Sequence, residues 1–126
     1  MEVKKVIALD NIEYYHTHLY IVNCILPKSA TMTPKEIELL GMFMSLKGDV
    51  ATYRFGPTAK KVVMAELNLS AQGMSNHLKS LKDKGLLYWM GDILTIRDML
   101  FPETIEQLYR IRLVNKSNII QNETTT

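Results

Sequence analysis

Residues 60–87 read KKVVMAELNLSAQGMSNHLKSLKDKGLL. The order they imply is helix, tight turn, second helix and the start of a strand. Ser70 follows the apolar Leu69 and precedes a new helical period. It therefore reads as an N-cap, whose side-chain oxygen accepts from the free backbone N–H groups of the first turn. Met74, Leu78 and Leu81 fall at helical spacing and make one buried stripe. Gln72, Ser75, Asn76, Lys79, Ser80 and Lys82 lie between them, and all can hydrogen-bond or carry positive charge. Gly85 sits where a helix ends through a left-handed residue. A helix with an apolar back and a front of amides, hydroxyls and lysines suits the major groove of DNA.

The composition sets bounds on the rest. With 126 residues and 47% hydrophobic content the chain reads as one domain with extensions. The net charge is only +2, which excludes a polycationic coat for nucleic acid. The distribution says more. Residues 58–84 carry Lys60, Lys61, Lys79, Lys82 and Lys84 against Glu66 and Asp83, a local charge of +3 that leaves −1 elsewhere. The excess thus sits on the helix pair, where phosphate contact needs it. Cys24 is the single cysteine, so no internal disulfide forms and a reducing, cytoplasmic setting is expected. A buried thiol is the plainer reading of it. No apolar run approaches the ~20 residues of a membrane span, and the short interrupted run after the N-terminus does not make a secretory signal.

Outward from the helix pair, residues 3–9 and 19–26 are β-branched and aliphatic, and Asp10-Asn11 is a turn signal. This predicts a strand, a turn and a second strand from Ile12 to Leu26, ended by Pro27, with a helix over 12–26 as the alternative. On such a strand His16 and His18 share a face, but no carboxylate or cysteine at ligand spacing completes a metal site. Thr33-Pro34-Lys35-Glu36 opens a helix to about Leu46, with a threonine cap, proline at the first position and glutamate at the capping-box position. Asp49 to Phe55 reads as a short strand or extended loop, and a helix follows from Thr58 to Leu67. Lys60 and Lys61 at its start oppose the helix dipole, which a nearby phosphate would relieve. After Gly85, Leu86–Met90 and Ile93–Ile96 flank Gly91-Asp92, a hairpin signal. Pro102 to Val114 is the expected last helix, with Ile105, Leu108 and Ile111 or Leu113 on one stripe, before a polar tail.

Helix, strand, helix, helix and hairpin is the order of a winged helix-turn-helix. The segment LSAQGMSNHLKSLKDKGLL resembles the recognition-helix region of the MarR- and ArsR-like families, with Leu69, Ser70, Ser75, Asn76, Leu78, Leu81, Gly85 and Leu86 in the positions of their pattern. The expected class is α+β, mainly α: an N-terminal β-hairpin extension (1–28), a winged helix-turn-helix domain (33–101), and a C-terminal helix with a frayed tail (102–126). The resemblance implies double-stranded DNA as partner and a role in regulating transcription or replication. Gln72, Ser75, Asn76 and Lys79 would face bases, and Lys60, Lys61, Ser70, Lys82 and Lys84 would face phosphates. Family members dimerise outside the winged helix, here through the N-terminal strands and the C-terminal helix. His77 neighbours the apolar stripe and is expected to pack or cap.

The wing departs from the pattern. Its tip, Met90-Gly91-Asp92, is short and acidic, and Arg97 lies well down the returning strand. Tyr88, Trp89 and Met90 thus become candidates for a protein interface, or simply cover the core. A protein-assembly module, such as a polymerase adaptor or a virion component, is the rival reading. An enzyme finds no support: there is no phosphate-binding glycine loop, no metal-spaced His/Cys set and no nucleophile–base pair, and no cofactor is implied.

Overall fold

The computed structural model describes residues 5–48 and 53–117. Among these residues four α-helices come first: α1 (Asn11–Asn23), α2 (Pro34–Met44), α3 (Pro57–Leu67) and α4 (Ala71–Asp83). A two-stranded antiparallel hairpin follows, β1 (Leu87–Met90) and β2 (Ile93–Ile96). This order is compatible with a winged helix-turn-helix.

The hinge of the core is α2. Its N-terminus forms as the sequence dictates. Thr33 Oγ1 accepts from the Glu36 amide at 3.2 Å, and Glu36 Oε1 accepts from the Thr33 amide at 2.8 Å. Ile37, Leu39, Leu40, Met42, Phe43 and Met44 are all buried, so this helix is apolar nearly all round. Such a helix belongs at the centre of a domain, and α1 and α3 pack on it. Gly41 lets α1 come close: a Cβ there would stand 2.1 Å from His16 Cδ2.

The N-terminal hairpin is not formed. Residues 11–23 are helix, and 5–10 have no regular structure. The Asp10-Asn11 signal is an N-cap, with Asp10 Oδ1 accepting from the Glu13 amide at 2.9 Å. Tyr15, Leu19, Val22 and Leu26 recur at helical spacing, and these side chains pack on the core. Burial of that stripe outweighs the β-propensity of its isoleucines and tyrosines, since propensity is a weak preference beside packing. His16 and His18 consequently point apart. His16 Nε2 meets the Glu38 carbonyl at 2.9 Å, and His18 Nδ1 meets Tyr109 Oη at 2.6 Å. Asn23 ends α1 by pairing both ways with the Met32 backbone, at 2.7 and 3.1 Å. Cys24 is exposed rather than buried.

The expected helix over 102–114 is absent too. Residues 102–115 form neither helix nor strand. Its thirteen positions include Thr104, Ile105, Ile111 and Val114, which are poor helix formers, and a helix of that length is marginal without a packed face. Two side-chain ties hold the segment against α1 instead. Tyr14 Oη donates to the Glu103 carbonyl at 2.7 Å, and His18 bonds Tyr109. Most of the strand expected over Asp49–Phe55 lies outside the described residues; Tyr53–Phe55 form a turn.

Candidate nucleic-acid interface

The helix pair is built by two left-handed turns. Asn68 closes α3 with φ 53°, and the Leu69 amide reaches back to the Met64 carbonyl at 2.9 Å. Asparagine tolerates this conformation better than other side chains do. Gly85 closes α4 with φ 79°; the Leu86 amide bonds Leu81 and the Gly85 amide bonds Lys82. That six-to-one and five-to-two pattern fixes where the chain leaves the helix for β1.

At its other end α4 is capped by Ser70, whose Oγ accepts from the Gly73 amide at 3.0 Å. Met74, Leu78 and Leu81 are buried. Each stabilises the docked helix by roughly 1.5–3 kcal/mol. With that stripe inward, Gln72, Ser75, Asn76 and Lys79 are exposed, and so are Ser70, Lys82 and Lys61. Lys60 and His77 are half-buried. Gln72 Nε2 donates to Asn76 Oδ1 at 2.9 Å. The pair leaves Gln72 Oε1 as a free acceptor and Asn76 Nδ2 as a free donor on the outward face.

Lys84 lies elsewhere. Its ammonium pairs with Glu36 Oε1, and Glu36 Oε2 accepts from Ser80 Oγ at 2.6 Å. Glu36 is 2% exposed. Burial alone would raise its pKa, but the hydrogen bonds from Lys84, Ser80 and the Thr33 amide, with the Lys84 charge, hold it below the usual value. One carboxylate therefore caps α2 and grips the last turn of α4. The capping-box spacing marks the first role in the sequence. The second, 44 and 48 residues away in Ser80 and Lys84, has no local signal.

Arg54 was also invisible to sequence patterns. Its Nη1 donates to the carbonyls of Phe43 and Met44 at 2.8 and 3.2 Å, and the guanidinium lies 5.5 Å from the centre of the Phe101 ring. It supplies the positive charge that the C-terminus of α2 attracts. Asn11 completes that end by donating to the Ser45 carbonyl at 2.7 Å.

The hairpin turns through two residues, since Met90 pairs with Ile93. Gly91 takes φ 62°, as such tight turns require. Leu87 and Ile96 are buried at its base. Trp89, Met90 and Ile93 are more than half exposed at its tip. Cations sit beside the aromatics: Arg97 lies 4.6 Å from the Tyr88 ring and Lys82 5.7 Å from the Trp89 ring. Arg97 Nε also donates to the Gly85 carbonyl at 2.8 Å, which anchors the hairpin to the end of α4.

No protein-family model, curated protein or solved structure matches this chain. Among the described residues no group of three or more His, Cys, Asp and Glu is placed to hold a metal ion, and no helix is long and apolar enough to cross a membrane.

Proposed function

We propose that the chain is a winged helix-turn-helix protein that binds double-stranded DNA with sequence preference, as a regulator of transcription or replication. The reading rests on α4. Its apolar side is spent on the core, and its outward side gathers Gln72, Ser75, Asn76 and Lys79. Amides pair bidentately with adenine and lysine reaches guanine O6 and N7. The linked Gln72–Asn76 pair offers one acceptor and one donor, the complement of the adenine N6 and N7 edge. Lys60, Lys61, Ser70 and Lys82 would hold phosphates and set register. Lys60 and Lys61 flank the start of α3, whose first turn has no side-chain cap and no acidic residue, so its amides add to the attraction for an anion. Lys84 acts from behind, through Glu36, by holding α4 in place.

Selection of bound duplexes from a random pool at physiological salt tests this. Enrichment of a common sequence by the native protein, lost in the Gln72→Ala/Asn76→Ala variant, is expected. Recovery of an unenriched pool by the native protein would rule the reading out.

The hairpin favours a second reading. Asp92 at the tip repels phosphates, while Trp89, Met90 and Ile93 present apolar surface. These features suit a protein partner, and the domain would then be an assembly module. Co-purification with one large partner, with no DNA protected from nuclease, would select it.

A further inference from the structure

The register of the hairpin separates its two faces. Leu87 and Ile96 are paired and buried on the side of the core. Tyr88 pairs with Thr95 and Met90 with Ile93, and alternate residues of a strand share a side. These four therefore stand on the opposite face. Met90 and Ile93 are 58% and 53% exposed and lie directly across from each other, so this face is apolar at its tip.

Arg97 lies at the base of that face. Its guanidinium stands 4.6 Å from the centre of the Tyr88 ring, and its Nε donates to the Gly85 carbonyl at 2.8 Å. Among the described residues Nη1 and Nη2 have no hydrogen-bond partner, and no carboxylate lies within ion-pair distance of them. A guanidinium anchored at one edge and stacked on a ring is already oriented. Its remaining edge is a fork that fits a carboxylate through two parallel hydrogen bonds. Tyrosine, methionine and arginine are also residue types that protein interfaces favour. A phosphate suits the fork too, but not the apolar pair beside it or the Asp92 carboxylate at the tip.

We propose that this face of the hairpin binds an extended acidic segment of a partner protein. A carboxylate of the segment lies across Nη1 and Nη2 of Arg97, and an apolar side chain of the segment covers Met90 and Ile93. The level of Tyr88 and the level of Met90 are two residues apart, about 7 Å along the strand. Alternate residues of an extended peptide span the same distance, so one position separates the acid from the apolar residue. The inference rests on the reading of the hairpin as a protein contact and adds the chemistry of the partner. It does not depend on DNA reading by α4.

The test is selection of random phage-displayed peptides by the full chain at physiological salt. The affinity of a recovered peptide is then measured for each variant, with circular dichroism to show that the variants stay folded. Recovered peptides should carry Asp or Glu one position removed from a large apolar residue. Arg97→Lys keeps the charge and removes the fork, and should weaken the peptide about tenfold or more. Replacing the peptide's acid by its amide should do the same, and the two changes together should cost little more than either alone. Ile93→Ser should weaken the peptide as well. Peptides lost in Ile93→Ser but bound equally by Arg97→Lys would overturn the acidic specificity and leave the hairpin as a protein contact. Recovery of no peptide that depends on Ile93 would overturn both. Arg97→Gln is expected to leave the salt slope of DNA binding unchanged. A slope lower by about one contact would assign Arg97 to a phosphate and overturn the proposal.

Discussion

Glu36 shows how much one side chain can carry. It completes the cap of α2, accepts from Ser80, and neutralises Lys84, all from a buried position. Glu36→Gln removes the charge while nearly keeping the shape. It leaves Lys84 without its counter-charge and turns one acceptor into a donor facing another donor. A loss of about 1–3 kcal/mol is expected in urea unfolding, and Lys84→Met in addition should recover part of it. Gly41 is the second such residue. Alanine in a helix interior usually gains about 1 kcal/mol over glycine. Here its Cβ would meet the His16 ring, and overpacking of that kind costs roughly 1–3 kcal/mol. Gly41→Ala should therefore destabilise the native chain and stabilise a His16→Ala variant, a reversal that thermal unfolding of the two backgrounds would show.

At the scale of elements, what could be read from sequence depended on whether the determinants were local. Thr33 to Glu36, Ser70, Gly85 and Gly91-Asp92 each carry their signal within a few residues, and α2, α4 and the hairpin formed where that signal put them. The region of α1 carried two signals at once. Its β-branched and tyrosine content pointed to strands, while Tyr15, Leu19, Val22 and Leu26 kept a helical period and Asp10 a cap. The period decided the outcome, because α2 offered a face to bury it. The segment 102–114 has a helical stripe, but no face among the described residues receives it, and the segment is irregular. The contacts that fix α4 in the molecule, through Glu36 and Arg97, are long-range and had no sequence signature. Arg54 belongs to that class. Arg54→Ala removes the side-chain donor to the Phe43 and Met44 carbonyls, and a loss of about 1–3 kcal/mol is expected by chemical denaturation.

At the scale of the molecule, two titrating groups shape acid stability. Burial holds the His18 pKa below its ordinary 6.5, against a smaller opposing effect of the Leu100 carbonyl, so the native state favours the neutral ring. Its contribution is complete above about pH 6.5 and is lost as the pH falls below that value towards the native pKa. The Glu36 pKa lies below its ordinary 4.5, so that contribution is present above pH 4.5 and is lost as the pH falls through the native pKa. Stability measured against pH should thus decline in two stages, and His18→Gln should remove the upper one. Because His18 holds Tyr109, the upper stage should coincide with faster trypsin cleavage at Arg110 and Arg112.

The molecule's basic helix pair and its polar outward face make DNA reading by α4 the central claim. The most direct measurement is affinity for the duplex enriched from a random pool and for a scrambled duplex, each over a salt series, with the native chain and the Gln72→Ala/Asn76→Ala variant. The native chain should prefer the enriched duplex, and its affinity should fall steeply with salt as lysine–phosphate contacts release counterions. The variant should lose roughly 1–3 kcal/mol of discrimination per base contact and keep the same salt slope. Equal affinity of the native chain for both duplexes, or discrimination undiminished in the variant, would contradict the account.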